Sequence, residues 1–521
     1  MIIGIDLGTT NSLAAVWQDG QARLIENGLG EVLTPSCVSL DTDGSVLVGR
    51  AAKERLETHP ERTAAVFKRY MGSDRRIRLG SRDFRPEELS ALILKSLKAD
   101  AEAALGVPVT EAIITVPAYF SDAQRKATRA AGQMAGLRVE RLLNEPTAAA
   151  LAYGIHQRDE ESRFLVFDLG GGTFDVSILQ MYDGVMEVRS SAGDNFLGGQ
   201  DVVDALVEMF FRRANLPDRL RQDIGFMQRL GAQAEAAKRA LGTQPRATMR
   251  ILEGDVEHRL ELDELALEDA CKPLLQRLRA PVERALRDAS LRSSDLDSIV
   301  LAGGATRMPL VRRRVAELFG REPLCSLNPD EVVALGAAVQ AGVLMGTQGD
   351  MLLLDVVPLS LGIETMGGVM ERLIHRNTTI PTSVTENFTT AVDNQSHVDI
   401  HVLQGERELA KDCRSLARFK LGPIAAQPAG LPRIAVTFLI DANGILNVSA
   451  RDERTGREHS IDVKPSYGLT DDEIERMLEE AIDLGEEDLE QRLLIVARND
   501  AEQILGALRK QLGEFRELIE P

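Results

Sequence analysis

Two carboxylates flank three consecutive glycines near the middle of the chain. Asp168 ends an apolar stretch, Gly170–Gly172 follow, and Asp175 stands at the start of a second apolar stretch. Glycines permit a tight turn whose bare amide groups can point at one anion, and phosphate is the usual guest. Carboxylates beside such a turn can hold the hydration shell of a magnesium ion. The same residues also fit an ordinary glycine-rich hairpin.

The amino-terminal stretch repeats this pattern. An apolar run is followed by Asp6 and Gly8, then by two threonines, and a second apolar run begins at Leu13. Two such hairpins in one chain predict a duplicated unit, with one hairpin from each half gripping a polyphosphate.

Alternating strands and helices must position these hairpins. Apolar residues at helical spacing predict a helix over 87–104, and residues 112–117 form a short apolar strand. The alanine row 148–152 predicts a helix packed closely on another element, and residues 332–344 predict a second one. We therefore divide the first part into lobe I, residues 1–160, and lobe II, residues 161–347.

The pattern changes after residue 347. Residues 348–358 combine leucines with flanking acids and predict an interdomain linker, although a plain buried strand would look alike. Residues 359–467 contain short alternating strands broken by Gly, Pro, Asn and Asp, which indicates an antiparallel β domain. Residues 468–521 are charged and carry an apolar stripe after the cap residue Thr470, which predicts a helical tail.

Composition limits the function classes. The chain of 521 residues has 80 acidic and 61 basic side chains, and its net charge of −19 disfavours binding to nucleic acid. We find no signal peptide and no apolar run near the about 18 residues that a membrane helix needs. Four scattered cysteines without a Cys-x-x-Cys pair predict buried thiols in a reducing compartment, and hence a cytoplasmic protein.

Longer runs match one family. The chain resembles the seventy-kilodalton heat-shock chaperones of the DnaK type, in Gly4–Ser12, Thr115–Phe120, Asn144–Gly154, Phe167–Val176, Asn328–Glu331, Pro358–Gly368 and Val402–Glu406. The resemblance implies an actin-like (ribonuclease H-like) two-lobed ATPase, a β-sandwich peptide-binding domain and a short helical lid. Actin and sugar kinases share the first fold, but the linker and the β domain favour the chaperones. The ATPase half is most similar to the HscC-like branch, in Phe67–Ser73 and Ser191–Gly199.

The resemblance implies ATP hydrolysis with ATP or ADP, Mg²⁺ and K⁺ as cofactors. The implied catalytic residues are Lys68, Glu145, Thr173 and Asp175, and the implied metal residues are Asp6 and Asp168, acting through water. From the sequence alone, Lys68 could equally be a solvated surface charge and Glu145 a helix cap.

A larger set is implied to hold the nucleotide. It comprises Gly8, Thr9, Thr10, Gly170, Gly171, Gly172, Thr173, Gly198, Gly199, Glu235, Lys238, Arg239, Gly303, Gly304, Arg307 and Asp330. The alternative for Glu235, Lys238 and Arg239 is an exposed helix face laced by salt bridges. The family often has a hydroxyl residue at the position of Gly242, so we expect one contact with the base to be weaker.

Coupling between the domains is implied by a second set. Its members are Pro117, Arg125, Leu353, Leu354 and Asp355. The residues Arg141, Asn144 and Asp355 match positions that engage a J-domain partner in the family. The connection from Leu241 to Glu261 looks short, which leaves dependence on a GrpE-type exchange factor open.

The β domain is implied to bind unfolded or extended polypeptide clients. Its cleft residues would be Ile363, Met366, Phe388, Ala391, Val398 and Ile400, although all six could instead be core residues. The family's lid-latch arginine is replaced by Ala429, and the tail after Thr470 is short. We therefore expect a truncated lid with fast peptide exchange.

Two other functions remain alternatives. One is a sugar or metabolite kinase of the same fold, which would leave the β domain without a role. The other is a scaffold without turnover, which the intact charged residues of the site argue against. The leading expectation is an ATP-dependent chaperone that assists protein folding under stress.

Overall fold

The computed structural model describes residues 1–118, 120–154, 161–182, 185–194, 196–346, 352–357, 359–462 and 484–514. These residues form two compact units, which separate between Val357 and Leu359. The predicted helix start at Thr470 and the linker residues 348–351 and 358 lie outside the described residues.

The larger unit alternates strands and helices. Its strands are β1 Ile2–Asp6, β2 Asn11–Gln18, β3 Gln21–Ile25, β4 Thr34–Pro35, β5 Cys37–Leu40, β6 Val46–Val48, β7 Thr63–Ala65, β8 Ile77–Leu79, β9 Arg82–Phe84, β10 Glu111–Val116, β11 Arg138–Asn144, β12 Ser162–Leu169, β13 Phe174–Tyr182, β14 Val185–Asp194, β15 Arg246–Glu253, β16 Val256–Asp263, β17 Ser298–Ala302 and β18 Leu352–Val356. Its helices are α1 Arg50–Thr58, α2 Pro86–Leu105, α3 Asp122–Met134, α4 Glu145–Ala152, α5 Gly199–Arg213, α6 Ile224–Ala240, α7 Glu264–Arg277, α8 Arg279–Asp288, α9 Pro309–Phe319 and α10 Val332–Leu344.

The two lobes repeat one sheet pattern, as the duplicated hairpins predict. In lobe I, β1 pairs antiparallel with β2, β2 with β3, and β10 lies parallel to β1. In lobe II, β12 pairs antiparallel with β13, β13 with β14, and β17 lies parallel to β12. Each sheet therefore places a strand–turn–strand hairpin beside a parallel strand, so that the turns of both hairpins lie at corresponding sheet edges.

Small residues let α4 and α10 approach almost to backbone contact. A Cβ added at Gly336 would lie 1.7 Å from the carbonyl oxygen of Ala148. One added at Gly4 would lie 2.4 Å from the amide nitrogen of Ala338. Larger side chains could not be accommodated without moving backbone, which explains the alanine row that the sequence shows. This packing fixes α4, whose first residue is Glu145.

The described residues of the smaller unit form two antiparallel sheets and one long helix. Its elements are β19 Leu361–Thr365, β20 Val369–Ile374, β21 Thr379–Ile380, β22 Thr382–Phe388, β23 Val398–Gln404, β24 Arg414–Leu421, β25 Ile434–Ile440, β26 Leu446–Asp452, β27 Glu458–Asp462 and α11 Gly485–Glu514. The sheet orders are β20-β19-β23-β24 and β22-β25-β26-β27. Alternate residues of β25 and β26 are buried, as expected for sheets with one face on a core. Arg407 and Asp488 form a buried ion pair that attaches α11.

Two expectations need correction. The segment from Leu241 to Glu261 is not a loop, because β15 and β16 form a regular hairpin over most of it. Cys325 is exposed and Cys413 is half-buried, whereas Cys37 and Cys271 are buried as expected. The preceding residue, Leu324, pairs with Val300 as an isolated bridge, and its neighbour is left facing solvent.

Among the described residues, no helix has both the length and the apolar character needed to cross a membrane.

Candidate functional site

The two glycine hairpins meet face to face. A Cβ at Gly171 would lie 1.8 Å from the hydroxyl oxygen of Thr10, and one at Gly172 would lie 2.7 Å from Cγ2 of Thr9. Only glycine permits this approach, which brings the threonines of lobe I against the turn of lobe II. The turn is thus part of a shared wall and not an isolated hairpin.

A buried ion pair stands at this wall. The Nζ atom of Lys68 lies 2.7 Å from Oε1 of Glu145, and the side chains are only 5% and 9% exposed. Lys68 belongs to the short 3₁₀ helix Phe67–Tyr70, and Glu145 is the first residue of α4. The structure therefore excludes a solvated surface role for Lys68 and gives Glu145 a charged partner.

Two aspartates lie at the ends of matching strands. Asp6 ends β1 and accepts a hydrogen bond of 3.2 Å from the hydroxyl of Thr115, and Asp168 lies in β12. Burial and then the charge of Glu145 raise the pKa of Asp6 from 3.8 to about 7. Burial, followed by the charges of Glu145 and Asp175, raises the pKa of Asp168 well above its usual value. Carboxylates this close together repel one another when they are ionised, and a cation bound beside them reduces this repulsion.

Further glycines support the turn of lobe II. The amide of Gly199 donates to the carbonyl of Gly170 at 2.9 Å, and a Cβ at Gly198 would lie 2.6 Å from the amide nitrogen of Gly172. Gly303 follows β17 with a φ of 79°, and a Cβ there would collide with the backbone of Leu169. The predicted glycines are thus required by close backbone approach.

The other end of the site carries paired charges. Glu235 contacts both Lys238 and Arg239, at 2.5 and 2.6 Å, and Arg307 contacts Asp330 at 2.7 Å. Glu235, Lys238 and Arg239 therefore form the salt-bridged helix face that was the alternative prediction, and the same three residues also line a cavity. The two interpretations of these side chains are compatible.

One cavity of about 610 Å³ unites most of the predicted residues. Those that line it are Asp6, Gly8, Thr9, Thr10, Lys68, Glu145, Asp168, Gly170, Gly171, Thr173, Glu235, Lys238, Arg239, Gly303, Gly304, Arg307 and Asp330. Gly172, Gly198 and Gly199 lie behind this lining, and Asp175 is buried in β13 opposite Asp168. The cavity thus has a glycine-rich, carboxylate-bearing end and an arginine-bearing end.

Sequence reasoning missed several lining residues. They are Asn11, Leu13, Leu33, Thr243, Met308, Arg312, Pro329 and Val333. Gly242 is an expected position of a base contact, whereas its neighbour Thr243 is not. The sequence carries no diagnostic signal for Thr243, because a threonine just after a helix is too common.

A polar network leads away from this cavity. Arg125 donates to Oδ1 of Asn144 at 2.8 Å and to the carbonyls of Ala118 and Phe120 at 3.1 and 3.0 Å, just beyond Pro117. Burial raises the pKa of Asp355, which Arg125, Arg141 and a hydrogen bond with Asn144 partly offset. The predicted partner-binding and relay residues therefore form one cluster, and Asn144 directly precedes Glu145.

The linker residues pair with lobe II. Strand β18 lies parallel to β14, with Leu353 opposite Met186 and Leu354 opposite Glu187. Leu354 and Asp355 are half-buried, while the side chain of Leu353 lies outside the described atoms. The segment is thus an ordered strand of this sheet.

The six predicted cleft residues of the smaller unit differ in burial. Ile363 and Ile400 are core residues, at 3% and 2% exposure. Phe388 and Val398 are half-buried, and Ala391 and Met366 are exposed, Met366 at 53%. Asn499 of α11 donates to the carbonyl of Met366 at 3.0 Å. Ile363 and Ile400 thus have the burial of core residues, while the other four are partly or largely accessible, and the assignment of all six to a peptide cleft stays a prediction.

A comparison with protein-family models identifies the family of this chain. The family model described as Hsp70 protein matches residues 2–78 and 75–521. These stretches cover almost the whole chain, so this chain belongs to the Hsp70 family, whose members are ATP-hydrolysing chaperones that bind ATP or ADP with Mg²⁺ and work with client polypeptides and J-domain co-chaperones.

Proposed function

We propose that this chain hydrolyses ATP in the cavity between the lobes and uses the cycle to bind and release extended apolar segments of unfolded proteins. The observation that carries the proposal is the adjacency of Glu145, paired with Lys68, and Asn144, paired with Arg125. One backbone step thus connects the candidate hydrolysis site with the linker cluster.

The cavity has the parts that phosphoryl transfer to water requires. Gly8, Gly170 and Gly171 of the two glycine turns line the part of the cavity where the phosphates would lie, and Lys68 brings a positive charge to the same part. Catalysis of this type depends on neutralising phosphate charge and holding a water in line. We assign Lys68, Glu145, Thr173 and Asp175 to the positioning and polarisation of that water.

The donor set at the phosphate end fits a magnesium ion. Asp6 and Asp168 offer oxygen ligands, and burial, followed by repulsion from neighbouring carboxylates such as Glu145, raises the pKa of both. Mg²⁺ prefers oxygen ligands and retains several waters, so the two aspartates would hold it through its hydration shell. When bound, the ion supplies neutralising charge for the phosphate oxygens.

The smaller unit would hold the client. Met366 and Ala391 are exposed and Phe388 and Val398 half-buried, which leaves apolar surface beside the loop that contacts α11. A flexible methionine suits varied apolar side chains, and strand edges provide sequence-tolerant main-chain bonds. We assign α11 to the lid over this surface.

We also propose that the chain belongs to the HscC-like branch of the family and acts in the cytoplasm. The 3₁₀ helix Phe67–Tyr70 and the short β8–β9 hairpin after it support the HscC-like branch. Scattered cysteines without a disulfide support the cytoplasm.

Release of a bound peptide tests the coupling. A fluorescent apolar peptide, preloaded in ADP, should dissociate about tenfold faster after ATP is added, within the usual range of allosteric coupling. Asp355→Asn should reduce this acceleration several-fold, because the linker cluster loses the charge that faces Arg125 and Arg141. Dissociation is followed by fluorescence anisotropy.

The matched control is Asp269→Asn, which changes an exposed carboxylate of α7 and should leave the acceleration intact. Peptide binding that ignores ATP would refute coupling. Turnover of ATP without any peptide binding would favour the kinase alternative.

Thr243 offers a test of the nucleoside end. Its hydroxyl lines the cavity beside Gly242 and makes only a long bond of 3.4 Å to the carbonyl of Ala240. We expect Thr243→Val to weaken ATP binding about fivefold, the effect of losing one hydrogen bond of about 1 kcal/mol. Calorimetry measures the dissociation constant, and Thr248→Val on β15 is the control. Equal affinities for the Thr243 variant and the wild type would rule out a contact with the base.

A further inference from the structure

An arginine next to Lys68 joins the two lobes. Arg69 lies in the 3₁₀ helix Phe67–Tyr70 of lobe I, and its Nη2 is 2.6 Å from Oδ2 of Asp201 on α5 of lobe II. The two side chains are 8% and 18% exposed. An ion pair shielded in this way is screened far less by salt and water than a surface pair.

Asp201 also holds the phosphate turn of lobe II. The same Oδ2 atom accepts a hydrogen bond of 2.7 Å from the amide of Gly198. From there the amide of Gln200 donates to the carbonyl of Gly171 at 2.8 Å. Asp201 therefore connects the start of α5 to the glycine turn on one side and to lobe I on the other.

Arg69 touches the glycine turn as well. A Cβ at Gly172 would lie 2.6 Å from Nε of Arg69, and this Nε is buried without a hydrogen-bond partner among the described residues. The guanidinium carbon lies 5.8 Å from the ring centroid of Phe196, the residue two positions before Gly198. Three residues of lobe II, Phe196, Gly172 and Asp201, therefore surround the guanidinium of Arg69.

We propose that Arg69 and Asp201 form a clasp that keeps the lobes closed on the nucleotide and so limits its release. Opening the lobes would pull the guanidinium away from Asp201 and leave two charges in a poorly hydrated place, which is unfavourable. Because Arg69 and Lys68 share one short helical turn, the clasp also makes Arg69 a positioning residue for Lys68. This inference rests on the proposed function and adds a control of nucleotide residence.

The test is a double-mutant cycle on the full chain. We expect Arg69→Met and Asp201→Asn each to speed release of fluorescent ADP about tenfold, and the double variant to release it no faster than about the faster single variant. Non-additivity of this kind shows that the two side chains act through each other. Hydrogen exchange at residues 198–201 should also become faster in the nucleotide-free Arg69→Met protein.

The control is Arg221→Met. Arg221 also stacks on a phenylalanine, Phe211, at 4.1 Å and contacts Glu208, but all three residues lie in lobe II. It should leave ADP release unchanged. Release within twofold of wild type in both Arg69 and Asp201 variants, or effects that multiply in the double variant, would overturn the clasp. A wild-type chain that binds no labelled ADP would overturn the proposed function instead, and the amide exchange would then still decide whether the clasp exists.

Discussion

Replacing Lys68 with methionine should reduce ATP hydrolysis by at least about a hundredfold while nucleotide still binds. The Nζ atom is a buried cation at the proposed phosphate end of the cavity, 2.7 Å from Glu145, and methionine fills similar space without charge. Loss of one preorganised electrostatic group from an active site typically costs about 10²–10³ in rate. Single-turnover hydrolysis of radiolabelled ATP measures the effect, and labelled ADP binding measures retention of the site.

The same substitution should also destabilise the fold. It leaves the carboxylate of Glu145 buried without its partner, and breaking a buried pair on one side costs about 3–5 kcal/mol. The double variant Lys68→Met/Glu145→Gln should therefore recover most of the free energy of unfolding without recovering hydrolysis. Lys98→Met, at a lysine that donates only to the carbonyl of Gly136, is the control for losing a surface lysine. Hydrolysis within twofold of wild type in Lys68→Met would refute the assignment.

The hairpins could be predicted from the sequence because their signals are local. Glycines at a turn, flanked by apolar strands, define the backbone shape without reference to distant residues. The duplication followed from comparing Asp6 and Asp168 with their neighbours, and the sheets of the two lobes confirm it. Helices α2, α4 and α10 were likewise indicated by spacing. The ends of α2 and α10 lie within a residue of expectation, whereas α4 begins at Glu145, before the alanine row.

The charge partners could not be predicted in this way. Lys68 and Glu145 are far apart in sequence, and only the packing of α4 on α10 brings the carboxylate to the lysine. The same holds for Arg69 and Asp201, which lie in different lobes. A lysine or arginine in a helical turn is solvated by default, so burial of these side chains is information that tertiary structure alone provides.

Alternation along the strands explains why the six predicted cleft residues differ in burial. Ile363 and Ile400 sit on strands whose neighbouring residues face opposite sides, and a match to a family position does not state which side is solvent. Met366 follows the end of β19, where the chain leaves the sheet, and is exposed for that reason. The distance of a residue from the end of its strand therefore helps to predict whether its side chain is exposed.

Magnesium should stabilise the ADP-bound protein strongly at about pH 8 and much less at about pH 6. The reason is that Asp6 must be deprotonated to bind the ion, and its pKa lies between these two values. Without a cation, burial and Glu145 raise the pKa of Asp6 to about 7. Below this pH the folded chain keeps a proton that the unfolded chain releases, so acidification stabilises the metal-free fold through this group. At such a pH Mg²⁺ must displace the proton of Asp6 before it can bind, so Mg²⁺ stabilises the fold less. Thermal unfolding in ADP, with Mg²⁺ or with EDTA at each pH, gives the two increments.

Asp168→Asn should separate repulsion from metal binding. In the absence of Mg²⁺ this variant should unfold at a higher temperature than wild type, because one of the crowded carboxylates that Glu145 and Asp175 repel is gone. The rise in unfolding temperature that Mg²⁺ causes in the wild type should be absent in this variant, because one of the two carboxylates proposed to hold the hydrated ion has become a neutral amide. Asp269→Asn, on the surface of α7, should show neither change. A Mg²⁺ increment of equal size in the Asp168 variant and the wild type would mean that the ion binds elsewhere, and Asp6 and Asp168 would then be structural acids whose raised pKa values serve another purpose.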